Sequence, residues 1–182
     1  EMGVSEGVFM SSRDGFHFDR TFLEAFIRPG NDRLNWGDRC NMPAWGLVQT
    51  GPNEMSIYYT QHYGFPSQYI RRGVLRLDGI ASAQAGYAGG ELVTKPIRFA
   101  GKKLVLNYST AASGSIRVEI QDANGNPITG FSLVEANELY GDEIEETYSW
   151  RGGSNVSSLA GKGIRLRFFL KDADLYSYRF AE

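Results

Sequence analysis

Residues 115–121, SIRVEIQ, alternate apolar and polar side chains without a break, and residues 163–170, GIRLRFFL, place an apolar side chain at every second position. A two-residue period puts Ile116, Val118 and Ile120 on one face of an extended strand, with Arg117 and Glu119 on the other. Ile164, Leu166, Phe168 and Leu170 share a face in the same way. No stretch of the chain sustains the 3.6-residue period of an amphipathic helix. Turn signals recur about every ten residues: Asp14-Gly15, Pro29-Gly30, Gly51-Pro52-Asn53, Gly64-Phe65-Pro66-Ser67 and Asn124-Gly125. Short alternating strands between tight turns predict an all-β protein, an antiparallel β-sandwich of jelly-roll-like form in which each strand has one core face and one wet face.

The remaining strands follow from the same pattern. Residues 7–18 read as a hairpin turning at Asp14-Gly15, a pair suited to a type I′ loop. Thr21–Ile27 is an apolar run, residues 45–50 are a short strand, and Glu54–Gln61 and Tyr69–Leu77 are two more. Residues 31–43, NDRLNWGDRCNMP, have no period and read as a long loop, a kind of segment that often carries function. Gly79–Gly90, rich in Ala, Ser and Gly, reads as a joint between two modules. After it come strands at Glu91–Ile97, Lys103–Ser109, 115–121, Thr147–Trp150, Gly163–Leu170 and Leu175–Phe180. Asn124-Gly125 is a hairpin turn, and Ser154–Leu159 a helical turn that Asn155 or Ser154 could cap.

Composition narrows the function. The 182 residues carry a net charge of -2 with acids and bases interspersed, so the dense basic patch that nucleic acid requires is missing. No apolar run reaches the ~20 residues of a membrane-spanning helix. The one cysteine, Cys40, cannot form an intrachain disulfide, and no Cys/His spacing suits zinc. Only His17 and His62 could serve a Ser/His/Asp triad, and no G-x-S-x-G elbow occurs, so serine hydrolase chemistry is not expected.

The aromatic content points elsewhere. Flat rings stack on the apolar faces of sugars, and planar polar groups bind hydroxyls. Trp36, in the long loop, and Tyr59, Gln61, His62, Tyr63, Tyr69 and Arg71, around the Gly64–Ser67 turn, have that composition. They are the candidate carbohydrate-binding residues, against the blander reading that the rings fill space between sheets. Asp38, Glu54, Asp78 and Glu91 are the carboxylates that a glycosidase pair could draw on. The acidic stretch 135–146, with Asp172 and Asp174 beyond it, could hold Ca²⁺, but it lacks the D-x-D-x-D-G loop, and a solvated acidic face is the commoner outcome. No other cofactor is expected.

Two resemblances add to this reading. S-x-x-D-G-x-x-F, at Ser11, Asp14, Gly15 and Phe18, is similar to the Asp-box hairpin of sialidase-type propeller blades, where Asp and Gly tie the turn in a structural role. Then GVLRLDGIAS, GGELVTKPIRF, GKKLVLNYST, GSIRVEIQDANGNPITGFS and GIRLRFFLKDADLYSYRF follow in order between Arg72 and Phe180. This series resembles the C-terminal end of bacterial five-bladed-propeller glycoside-hydrolase-like proteins of the fructosidase and arabinanase-like group. The resemblance implies propeller-blade-like strands at 1–80 and a β-sandwich domain at 81–182.

The family's catalytic carboxylates sit on early and middle blades that have no counterpart here, so no catalytic residue carries over. Residues 1–80 cannot close a five-bladed ring. Either they form an orphaned blade, or they join the sandwich. The expectation is a non-catalytic carbohydrate-binding or accessory module, secreted or periplasmic, with a poly- or oligosaccharide as partner. The alternatives are a truncated or minimal glycoside hydrolase and a structural β-sandwich. An orphaned blade would expose a strand edge, which favours a homo-oligomer.

Overall fold

A computed structural model describes residues 3–182. The protein is all-β, its strands pair antiparallel, and among the described residues the only helical turns are two three-residue 3₁₀ segments, Arg33–Asn35 and Ser157–Leu159. No helix among the described residues is long and apolar enough to cross a membrane. The chain divides into two compact units, Glu1–Leu77 and Asp78–Glu182.

The described residues of the first unit hold seven strands in small sheets. β1 (Gly7–Val8) pairs with β4 (Ala25–Ile27), and β2 (Ser11–Ser12) pairs with β3 (Phe18–Asp19). β5 (Val48–Gly51), β6 (Glu54–Gln61) and β7 (Tyr69–Arg76) form a three-stranded sheet with β6 in the middle. Asp14-Gly15 does turn the chain, though not as a two-residue I′ loop. The hairpin closes at Ser12↔Phe18, and only Gly15 of the pair has a positive φ, 77°. The Asp14 carboxylate makes the turn. Its Oδ1 accepts from the N–H groups of Phe16 (2.9 Å) and His17 (2.8 Å), and its Oδ2 lies 2.5 Å from His17 Nδ1.

The second unit is organised by two long strands, β10 (Lys103–Asp122) and β12 (Ile164–Ala181). The alternation predicts each as two separate strands, and the structure runs them together. Their sheet curls into a half-barrel around one core. Facing pairs on the inner surface run Leu104↔Phe180, Leu106↔Tyr178, Tyr108↔Leu175, Ile116↔Leu170, Val118↔Phe168 and Ile120↔Leu166. Ile116, Val118, Leu166 and Phe168 are fully buried, as the alternation requires. The register shifts between Thr110 and Ser115, where the sheet bends. Gly114 permits that bend: a Cβ there would lie 2.2 Å from the carbonyl oxygen of Asp172 and 2.8 Å from that of Lys171. Register shifts also change which residues face inward. The buried positions of β12 run Leu166, Phe168, Leu170 and then Ala173 and Leu175, and a β-bulge accounts for the change of parity.

The remaining strands flank this pair. β11 (Asp142–Thr147) lies along the first half of β10, while β8 (Ala83–Ala85) and β9 (Gly90–Val93) pair with β12. Part of the small-residue stretch read as a joint is therefore built into the sheet. The acidic stretch supplies β11, and Glu135 ties a loop by accepting from the N–H groups of Gly130 and Ser132. Asn155 Oδ1 accepts from Ser157 N in a local turn, but the second 3₁₀ segment starts from Val156, and neither Asn155 nor Ser154 is its cap.

One expectation about the outer face fails. Glu119 faces away from the core, yet it is buried. Arg167, opposite it in register, donates to Oε1, as does Gln121, while Leu133 N donates to Oε2. Arg167 also holds Glu91 with two bonds, from Nη2 at 2.6 Å and from Nε at 3.0 Å. A carboxylate can leave water when its lone pairs are met by donors, one of them cationic.

Candidate functional site

The long loop 31–43 folds against β6 in the first unit. It begins with Asp32, whose Oδ1 accepts from Leu34 N and caps the first 3₁₀ turn. It ends as an added edge beside β6: Asn41 N donates to Thr60 O (2.7 Å), Thr60 N to Met42 O and Ala44 N to Tyr58 O. Between these ends the loop is pinned from within. The fully buried Cys40 donates its thiol to Leu34 O and accepts from Tyr63 N at 3.2 Å. Asn41, also fully buried, donates to Ser5 O and Asn35 O. Arg39, Asn41 and His62 all have φ near +60°. Such backbone costs non-glycine residues about 1–2 kcal/mol each, and it persists where the surroundings overdetermine it.

This scaffold builds two adjoining depressions. The larger, a cleft of about 440 Å³, is lined by Arg33, Trp36, Asp38, Arg39, Tyr63 and Phe65, with Gly37 and Gly64. Trp36 is half exposed, and its indole N–H is fixed on Gly30 O at 2.9 Å. Arg39 donates to the Tyr63 hydroxyl at 3.2 Å, and its guanidinium carbon lies 5.6 Å from that ring's centre. Asp38 accepts from Ser5 Oγ and from Arg39 N. No carboxylate pairs with Arg33 among the described residues. The smaller depression, about 320 Å³, is mostly apolar and is lined by Met42, Pro43, Tyr59, Tyr63 and Ile70 among others.

The structure sorts the predicted residues into three places. Trp36 and Tyr63 wall the larger cleft, and Tyr59 lines the smaller with Tyr63. Gln61, Tyr69 and Arg71 form a hydrogen-bonded group instead, with His62 packed against Tyr69. Gln61 is buried, and its Oε1 accepts from the Tyr69 hydroxyl (2.6 Å) and from Arg71 (3.2 Å). His62 stands edge-on to Tyr69, with ring centres 5.1 Å apart. Its Nε2 lies 2.7 Å from Asp32 Oδ2, and its Nδ1 lies 3.0 Å from Ser67 Oγ.

Arg33 and Phe65 join the cleft, and Asp32 and Ser67 join His62, without having been singled out from the residues. Asp32 and Ser67 lie 30 residues before and five residues after His62. No short motif links such positions, and only the long-loop signal of 31–43 and the turn at 64–67 hinted at them.

The carboxylates weighed for glycoside hydrolysis are each engaged. Asp38 is held as above, and Glu54 pairs with Arg72. Asp78 accepts from Ser177 Oγ at 2.9 Å, and Glu91 pairs with Arg167. Among the described residues no three or more His, Cys, Asp or Glu side chains gather as a metal-binding group. Hydrogen bonds from His62 and from Leu34 N, the former the stronger influence, hold the Asp32 carboxyl below its ordinary range. Asp32 is therefore ionised at neutral pH.

No family model, curated protein or solved structure matches the chain. What defines it is an all-β antiparallel fold with an aromatic, arginine-lined cleft in its first unit.

Proposed function

We propose that the chain is a carbohydrate-binding or accessory module of a carbohydrate-processing system, with no part of its own in breaking glycosidic bonds. The observation that carries this reading is the cleft between Trp36 and Tyr63. Two partly exposed rings wall a depression whose floor and rim offer the Arg33 and Arg39 guanidiniums and the Asp38 carboxylate. A pyranose has apolar C–H faces that stack on such rings and hydroxyls that pair with such groups. The indole bond to Gly30 and the thiol link between Cys40 and Tyr63 fix both elements of the cleft beforehand, which lowers the entropic cost of binding. Calorimetry and affinity electrophoresis against a panel of soluble polysaccharides test it. Saturable binding to at least one glycan, weakened by Trp36→Ala, is the expected result. No retardation by any glycan overturns the reading.

A second reading, self-association, is favoured by one face of the β5–β7 sheet. Val48, Ile70 and Val74 lie there at 51%, 60% and 53% exposure, beside the Arg72–Glu54 ion pair of the same face. Light scattering at rising concentration tests it. A strict monomer removes it.

A further inference from the structure

His62 stands between a hydroxyl and a carboxylate, and the chemistry of the two neighbours assigns its protons. Asp32 is ionised and can only accept, so the Nε2 atom 2.7 Å away carries the hydrogen. In the neutral ring Nδ1 then presents a lone pair, and the Ser67 hydroxyl 3.0 Å away donates to it. Nucleophile, base and orienting acid thus lie in one hydrogen-bonded line, with the ring nitrogens exchanged relative to the serine-protease arrangement. The line is held from several sides. Asn35, itself buried, accepts from His62 N at 3.1 Å, and the Tyr69 ring abuts the imidazole. The His62 side chain is 13% exposed, whereas Ser67 is open to solvent. Gly64 and Phe65, between His62 and Ser67 in the chain, line the larger cleft.

We propose that Ser67, His62 and Asp32 form a serine acyl-hydrolase site for short O-acyl esters, an activity that goes beyond glycan binding and does not depend on it. Ser67 Oγ attacks the ester carbonyl carbon while its proton passes to His62 Nδ1. The bond from that carbon to the alcohol oxygen then breaks, and the leaving alcohol takes the proton from Nδ1. Water attacks the acyl-serine and gives a proton to Nδ1; the bond from the carbonyl carbon to Ser67 Oγ then breaks, Oγ takes that proton back from Nδ1, and the carboxylic acid departs. Asp32 stays ionised and steadies the imidazolium formed in each step.

The test uses the whole chain with a fluorophosphonate probe and p-nitrophenyl acetate. Intact mass and peptide mapping are expected to show one adduct, on Ser67, together with ester hydrolysis above the buffer rate. Ser67→Ala is an exposed change that leaves the fold alone and should abolish both. Asp32→Asn keeps the oxygen that caps Leu34 but lets the side chain donate, and should lower hydrolysis by about 10³-fold or more with an unchanged thermal midpoint. Absence of an adduct on the folded chain, an adduct at another residue, or undiminished hydrolysis in Ser67→Ala overturns the proposal.

Discussion

Trp150 donates its indole N–H to the backbone carbonyl of Val118 at 2.8 Å, inside the core of the second unit. Beside it the Tyr148 hydroxyl accepts from Val118 N at 2.9 Å and donates to Asn137 O at 2.6 Å. The second half of β10 has no neighbouring strand on this edge. Its polar groups are met instead by Leu139 at Ile116, by these two side chains at Val118, by Phe131 and Ile128 at Ile120, and by Asn126 at Asp122. Two aromatic side chains thus replace one rung of a missing strand, which seals an edge that would otherwise be open to pairing.

Trp150→Phe and Tyr148→Phe each strand one buried backbone group of Val118. Each is expected to destabilise the second unit by about 1–3 kcal/mol. Urea unfolding followed by near-ultraviolet circular dichroism checks this, and unchanged midpoints would contradict the proposed role of the two side chains.

Arg167→Met leaves Glu119 buried without its cation, a change expected to cost on the order of 3 kcal/mol. The pH dependence has a definite sign. Burial raises the Glu119 pKa, but hydrogen bonds from Gln121, Leu133 N and Arg167 outweigh burial and bring it below the ordinary 4.5. Glu91 shifts the same way, chiefly through its bond to Arg167. A carboxylate with a lowered folded pKa stabilises the fold above its unfolded pKa, and that contribution disappears as pH falls through the folded value. The urea midpoint of the parent protein should therefore drop as pH falls below about 4.5. The drop should be smaller in Glu119→Gln.

Gly114→Ala tests the bend in the long strands. The added methyl meets two backbone carbonyls, at 2.2 and 2.8 Å, and neither can turn aside as a side chain could. A loss above about 3 kcal/mol, or failure to fold, is expected. Gly152→Ala, where a Cβ meets nothing within 4 Å, is the control and should stay within about 1 kcal/mol of the parent.

Asp14→Ala removes the carboxylate that gathers the Phe16 and His17 amides. Those amides should exchange with deuterium markedly faster, while exchange in the core of β10 and β12 stays unchanged. Equal exchange at Phe16 and His17 in both proteins would show that the turn stands without Asp14.

Tyr63→Ala should weaken glycan binding at least tenfold, about 1.4 kcal/mol, because it removes one wall of the cleft and the acceptor for Arg39. Tyr63→Phe keeps the ring and loses only that acceptor, so it should fall between parent and Ala. Calorimetry against the same glycan checks the order.

The all-β class was legible in the residues because the inward positions of β10 and β12 recur every second residue, and that period belongs to extended chain alone. Ile116, Val118, Leu166 and Phe168 could thus be assigned to the core in advance, since the alternation depends on neighbours close in sequence. Tertiary structure decided that 103–122 is one strand and not two: Gly114 reads as a break until the Asp172 carbonyl is seen against it. It also decided that Glu119 is buried, because its donors come from β12 and from a loop fourteen residues away. The aromatic composition marked Trp36 and Tyr63, but not that they share a cleft while Gln61 is consumed by Tyr69 and Arg71. The line through Asp32, His62 and Ser67 was decided at the same level. Local preference is encoded residue by residue, whereas the meeting of side chains 30 positions apart depends on how the loop closes over β6, and only the folded chain determines that.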